Sequence, residues 1–260
     1  MPLSKCLHPV RVKTNKGDYQ YVPCGKCEAC RSLQAFTWKK RLDAEVQSNH
    51  WTLMFTLTYD ENHLPFVFVD TNGKVEYHHL ESHPTMSVSS DVLKDLDKYY
   101  KLINNRDGKL PYYKVPVICH YDVQDFIKRL KFYAPKIRWF ISSEIGPTTL
   151  RSHYHGLLFF NEYDPEIVKT YIYKAWSKCD WSLPENQESI HLTTKTSYCT
   201  SYVACVQSLP LIHSFERFAQ FRYTSNRPPI GSFVYSQSNI SAYERAEIDA
   251  VPLAASDNKE

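Results

Sequence analysis

Glycine is scarce in this chain, with 7 residues in 260. A dinucleotide-binding loop needs several in close succession. No Gly-X-X-X-X-Gly-Lys-Ser/Thr stretch occurs either, so this chain carries no P-loop helicase motif. No run approaches the ~20 apolar residues of a membrane-spanning helix. The opening Met1-Pro-Leu-Ser-Lys-Cys6 lacks the apolar stretch of a secretory signal. The expectation is no membrane partner and a reducing cytoplasm, where eight cysteines point to metal or catalysis before disulfides. A large excess of one charge is missing too. With 31 Lys and Arg against 28 Asp and Glu, the net charge is +3, and no global electrostatic argument for nucleic acid follows.

Local features say more. From Lys128 to Arg138 stand five cations, Lys128, Arg129, Lys131, Lys136 and Arg138, with no carboxylate among them. Lys39, Lys40 and Arg41 form a second cluster. Phosphate backbones reward such patches by counterion release, although each alone also fits a solvated helix face. The 19 tyrosines are compatible with stacking on bases, and aromatics also fill cores.

The chain is long enough for one large domain with a small appendage. Residues 1–48 read as a Cys-rich, irregular module followed by a helix from about Cys27 to Gln47. Residues 49–210 read as a core, opening with a buried strand at Trp51–Tyr59. Residues 61–116 are a poorly periodic insertion with one short helix near 89–102. After it, Asp122 is expected to cap a helix reaching about Tyr133, with strands at Ile137–Ser143 and Ser152–Phe160 forming a hairpin. Pro165 then opens a helix through Trp176. A short strand near Ser189–Leu192 and a helix from about Thr194 to Gln207 close the core. Residues 211–260 are an extension whose last ten residues read as a disordered tail. The order predicts an α+β fold: an antiparallel sheet with helices on one face, the split βαβ arrangement of ferredoxin-like and RRM-like domains.

Three constellations carry chemistry. His153-Tyr154-His155 lies in a predicted strand, where residues i and i+2 share a face about 6–7 Å apart and two imidazoles can converge on one cation. Glu144 ends the preceding strand, and a hairpin turn near Gly146–Leu150 sets it beside the histidines. Two imidazoles and a carboxylate suit Mn²⁺ or Mg²⁺ and leave positions open for a phosphate oxygen. Tyr198 and Tyr202, four apart on a predicted helix, present both phenols on one face. Tyrosine is a known covalent nucleophile, and the same spacing also makes a core stripe. Cys24-Gly-Lys-Cys27-Glu-Ala-Cys30, with Cys6 upstream, offers four thiolates for structural zinc. An iron–sulfur cluster is the rival occupant, and His8 the rival fourth ligand. Cys119, Cys179, Cys199 and Cys205 read as ordinary buried residues, and His78, His79 and His83 as a solvated loop.

Taken in order, these residues resemble the replication initiators of gokushovirus-like Microviridae, small phages with circular single-stranded DNA. The likeness runs from Cys6-Leu-His8-Pro9 through Pro23–Arg31 and the Trp38, Arg41, Glu45 spacing. Phe55–Pro65 is similar to the first motif of His-hydrophobic-His endonucleases, and Ser143–Gly146 with Arg151–His155 to the second. Tyr198–Tyr202 falls where the nucleophile belongs, and Arg227-Pro-Pro-Ile-Gly231 resembles a late family signature. Ser201 departs from the basic residue that relatives carry before the second tyrosine. The resemblance implies metal-dependent nicking at an origin, a 5′-phosphotyrosine linkage, a free 3′-hydroxyl and later rejoining in a host bacterium. It further implies single-stranded DNA as partner, with host helicase and polymerase. A transposase or relaxase, and a non-catalytic zinc-containing nucleic-acid-binding protein, are the alternatives.

Overall fold

The computed structural model describes residues 6–15, 17–25, 27–78, 86–104, 110–204 and 209–232, without the side chains of 202–204. The tail at 251–260, His79, His83 and Cys205 lie outside them. In chain order the elements are β1 (Val10–Lys13), β2 (Tyr19–Val22), α1 (Glu28–Ser48), β3 (Trp51–Leu57), β4 (Phe66–Asp70), β5 (Lys74–His78), β6 (Met86–Ser87) and α2 (Ser90–Tyr99). There follow β7 (Tyr112–Pro116), α3 (His120–Tyr133), β8 (Arg138–Ile145), β9 (Ser152–Phe160), α4 (Pro165–Ala175), α5 (Pro184–Glu188), β10 (His191–Leu192), α6 (Ser197–Ala204), a 3₁₀ turn at Leu211–Ser214 and β11 (Arg222–Thr224). None of the described helices is long and apolar enough to cross a membrane.

The chain gathers into two compact units. The larger spans Trp51–Thr193 and Gln207–Thr224. Its main sheet has the order β10-β3-β9-β8-β11, every pair antiparallel. Leaving out β11 at the edge, the succession strand, helix, strand, strand, helix, strand (β3, α3, β8, β9, α4, β10) is the split βαβ arrangement, and the fold class is the α+β expected. One sheet face, with Leu53, Phe55, Leu57, Ile141, Ile145, Tyr154, Leu158 and Phe160, packs on α3 and α4. Helix α3 meets it with Val123, Phe126, Ile127 and Leu130, an i, i+3, i+4, i+7 stripe. Helix α4 starts where Pro165 follows Asp164, whose carboxylate accepts from the Glu166 and Ile167 amides.

Asp122 is not the cap of α3. The helix opens at His120, so Asp122 sits in its first turn, where the macrodipole favours a carboxylate. Its oxygens are engaged elsewhere, accepting from Tyr59 Oη at 2.7 Å and Lys178 Nζ at 3.1 Å.

The insertion is more regular than its sequence suggests. The helix near 89–102 is α2, and β4, β5, β6 and β7 form a four-stranded antiparallel sheet in the order β6-β5-β4-β7. It has its own core of Val67, Val69, Val75, Val92, Leu96, Val115 and Ile212. The β4–β5 turn is built by Asp70, whose side chain accepts from the Asn72 and Lys74 amides. Gly73 adopts φ +82°, and a Cβ there would stand 2.5 Å from the Val88 carbonyl oxygen.

The smaller unit gathers residues 1–50, 194–206 and 225–260. The first thirty residues, irregular in sequence, contain the β1–β2 hairpin. Helices α1 and α6 pack together, and the Thr196 hydroxyl, one residue before α6, donates to Asp43. On α1, Arg41 Nε donates to the Ile230 carbonyl at 2.9 Å, and Glu45 Oε2 accepts from the Gly231 amide at 2.7 Å. Trp38 lies beneath the Arg41 guanidinium, 4.5 Å from it.

His213, in the 3₁₀ turn, is buried with one ring nitrogen 3.4 Å from Tyr100 Oη, and burial pushes its pKa down to about 4. The unfolded chain therefore takes up this proton first as pH falls. The contribution is complete above the unfolded pKa near 6.5 and is lost on the way to pH 4, by up to about 3 kcal/mol. Urea midpoints at pH 7.5 and 4.5 should draw together in His213→Gln relative to the parent; equal pH dependence in both proteins would refute the assignment.

Candidate functional site

The β8–β9 ladder builds the first candidate site. Its register sets Glu144 opposite His153, Ser143 opposite Tyr154 and Ser142 opposite His155. Strand β3 adds Thr56 opposite His155 on the other side. Partners across a ladder share a face, as do residues two apart. Glu144, His153, His155, Ser142 and Thr56 therefore occupy one face, and Tyr154 points to the opposite one, into the core.

The expected ligands are brought together to different degrees. His155 Nε2 lies 2.8 Å from Glu144 Oε2, both groups buried. His155 Nδ1 lies 3.0 Å from Thr56 Oγ1. A hydroxyl can donate or accept, so Thr56 partners Nδ1 in either tautomer and leaves Nε2 directed at the carboxylate. The His153 and His155 rings are nearly parallel, 18° apart, with centroids at 6.5 Å. Gly146 leaves room for His153: a Cβ there would press on its ring at 3.2 Å. Burial, with His155 beside it, holds the His153 pKa below the ordinary imidazole value and favours the neutral, ligand-competent ring. Two imidazoles and a carboxylate on one face are nitrogen and oxygen donors of the kind a divalent cation takes, although among the described residues only the four cysteines gather their ligand atoms closely enough to hold an ion as they stand.

Thr56 was not foreseen. Its signal is the run Phe55-Thr-Leu-Thr, and only strand pairing shows which hydroxyl meets the imidazole. Arg151, which opens the second motif of the resemblance, donates to the Tyr59 carbonyl at 2.7 Å and to Glu61. It joins the segment after β3 to the start of β9.

The second candidate site is the cysteine cluster. The sulfurs of Cys6, Cys24, Cys27 and Cys30 all lie within 4.8 Å of one another. The Cys24 and Cys27 amides lie 3.3 Å from the sulfurs of Cys6 and Cys24 respectively. Backbone hydrogen bonding, from Leu7 first, lowers the Cys27 pKa to about 6, whereas burial raises that of Cys30 to about 12. Four converging thiols fit a tetrahedral soft-ligand metal. Cys119, Cys179 and Cys199 are buried apart from the cluster, their thiols raised to about 12 by desolvation.

Both tyrosines fall on α6. Tyr198 is 46% exposed, whereas the side chain of Tyr202 lies outside the described residues. The cations divide. Lys128, Arg129 and Lys131 are exposed along α3, Lys128 paired with Asp125 at 3.1 Å and Lys131 over the Trp139 ring at 5.6 Å. Lys136 is paired with Glu162 at 2.7 Å, and Arg138 begins β8 half-buried. Next to this run stand Phe132, 82% exposed, and Tyr133, stacked on Tyr171 with centroids at 5.1 Å. His78 is stacked on Phe66 rather than free in a loop.

No family model and no curated protein matches the chain. Among solved structures, the nuclease domain of minute virus of mice non-structural protein 1 aligns at 13% identity and TM-score 0.21, over 80% of this chain and 82% of that one. That protein has Zn²⁺ in its active-site pocket and recognises DNA at the origin of replication. An overlap this loose adds nothing to the residues themselves.

If the four thiols hold zinc, protein purified without chelator should contain about one equivalent of metal bound by them. Elemental analysis of the parent and of Cys30→Ser checks this. Equal metal content in both would remove the cluster from consideration as the site.

Proposed function

We propose that this protein is a rolling-circle replication initiator that nicks single-stranded DNA and becomes joined to the 5′ end through a tyrosine. The observation that carries the reading is the juxtaposition on the β8–β9 face: Glu144 across from His153 and hydrogen-bonded to His155, with Thr56 behind. The resemblance to the initiators of gokushovirus-like Microviridae adds the order of the motifs along the chain.

In this reading His153, His155 and Glu144 hold the catalytic cation, Mn²⁺ or Mg²⁺, and Cys6, Cys24, Cys27 and Cys30 a structural zinc. A bound divalent cation supplies positive charge to the non-bridging oxygens of the scissile phosphate. Thr56 fixes the His155 ring, a supporting role whose loss commonly costs 10- to 100-fold in metal affinity. The phenolic oxygen of Tyr198 or Tyr202 attacks phosphorus in line and the P–O3′ bond breaks. The phenolic proton is lost and the departing 3′ oxygen gains one, which gives a free 3′-hydroxyl and a 5′-phosphotyrosine. Rejoining is the reverse displacement, by a 3′-hydroxyl on that phosphotyrosine. Two tyrosines allow one phenol to hold an end while the other attacks. Lys128, Arg129, Lys131, Lys136 and Arg138 contribute phosphate contacts, and a host helicase and polymerase complete the cycle in a bacterial cytoplasm.

The test uses purified protein, Mn²⁺ and single-stranded oligonucleotides tiling the cognate circular genome. A denaturing gel with mass spectrometry should find a covalent adduct on Tyr198 or Tyr202. It should vanish with EDTA, in His155→Ala and in Tyr198→Phe/Tyr202→Phe, and weaken in Thr56→Val. An adduct surviving in the double tyrosine variant would discard the nucleophile assignment. Tight binding without any adduct across the whole genome would replace the nuclease by a non-catalytic zinc-containing nucleic-acid-binding protein.

A further inference from the structure

The β1–β2 hairpin has two unlike faces. The register pairs Arg11 with Tyr21 and Lys13 with Tyr19, and paired residues share a face, as do residues two apart. One face therefore carries Arg11, Lys13, Tyr19 and Tyr21, and the other Val10, Val12, Gln20 and Val22. The aromatics lie on the more exposed of the two faces. Val12 and Val22 are the half-buried positions, whereas Tyr19 and Tyr21 are 58% and 60% exposed.

The cations on that face are arranged with the rings. The Arg11 guanidinium stands 4.0 Å from the centre of the Tyr19 ring. Neither Arg11 nor Lys13 is engaged by a carboxylate among the described residues. The ends of the hairpin are also tied down. Cys6 precedes β1 and Cys24 follows β2, and the Cys24 amide lies 3.3 Å from Cys6 Sγ, inside the four-thiol cluster. The platform is thus held by the cluster.

Two exposed rings spaced two residues apart, about 6–7 Å along the strand, and interleaved with two cations match single-stranded nucleic acid. Bases with free π-faces stack on the rings, and phosphates meet the cations. A duplex keeps its π-faces covered, so it lacks the matching surface. We propose that the Arg11, Lys13, Tyr19 and Tyr21 face of the hairpin is a stacking platform for single-stranded DNA. The choice of DNA rests on the initiator reading above.

The experiment measures binding of the full chain to a labelled single-stranded oligonucleotide by fluorescence anisotropy across a salt series. Tyr19→Ala/Tyr21→Ala should bind at least about 10-fold more weakly. Tyr19→Phe/Tyr21→Phe should bind like the parent, since it keeps the rings and reports on any loss due to folding. Arg11→Gln/Lys13→Gln should lower the magnitude of the salt slope by about 1.4. Unlabelled duplex of the same sequence should compete poorly. Unchanged affinity in the alanine variant, or equal weakening in the phenylalanine variant, would overturn the platform. Tighter binding of the matching RNA would overturn the choice of DNA. The covalent adduct is scored separately at saturating oligonucleotide. Adduct formation with unchanged affinity in the alanine variant refutes only the platform, whereas lost affinity with no adduct in any protein refutes only the nuclease.

Discussion

The antiparallel ladder between Arg138–Ile145 and Ser152–Phe160 governs both the core and the candidate site. Its eight rungs run without interruption from Arg138 opposite Phe159 to Ile145 opposite Ser152. Side chains alternate faces with a period of two, so a slip of one residue would exchange every inward and outward position. In the observed register Tyr154, Leu158 and Phe160 enter the core while His153, His155 and Glu144 share the other face. The histidine face is buried too, with Phe140, Leu157 and Phe159 beside the polar set, so apolar packing on both faces fixes the register. Gly156 shows how tightly this is enforced, because the Phe55 ring occupies the space where a Cβ would stand.

Tyr154, between the two histidines in sequence, anchors the ladder from beneath. Its hydroxyl donates to the Cys119 carbonyl, lies 3.0 Å from the Cys119 amide and also meets Tyr59 Oη at 3.0 Å. Tyr59 in turn donates to Asp122. Burial raises the pKa of both phenols, which keeps them neutral donors. This network joins β9, the end of β3 and the first turn of α3 without spending the imidazoles. A phenol at 154 serves better than an aliphatic side chain, since the backbone amide and carbonyl of Cys119 would otherwise lose a partner.

Much of the core was legible because its elements have strong periodicity. The stripe on α3, the Asp164-Pro165 start of α4 and the two strands flanking the turn at Gly146 are all visible as residue patterns. The His153, His155 and Glu144 face follows from the same hairpin. The insertion was not legible, and Phe66–Asp70 shows why. That strand lies between β5 and β7 with apolar residues on both faces, so the alternation that marks a half-buried strand is absent. Its partner is reached through the turn at Asn72-Gly73, a pair that does not by itself mark the joint of two strands. Thr56 was hidden for a different reason: its role depends on a partner 99 residues away. The cysteine cluster was the easiest to read, since three of its four members lie within one heptad, Cys24 to Cys30.

Two pieces of the family resemblance far apart in sequence turn out to be a single contact. The Arg41 and Glu45 spacing on α1 and the late Arg227-Pro-Pro-Ile-Gly231 run are joined by the bonds from Arg41 to the Ile230 carbonyl and from the Gly231 amide to Glu45. Gly231 adopts φ +73°, and a Cβ there would lie 2.6 Å from the Arg41 carbonyl oxygen. Arg41, Glu45 and Gly231 meet there, and a buried guanidinium and a buried carboxylate each gain a backbone partner from this close approach. A motif at each end of the chain needs no separate function to explain it. Both belong to the anchoring of α1, the same helix that begins at Cys27 and Cys30, so the packing that orients the cysteine cluster is continuous with the packing that holds the late segment.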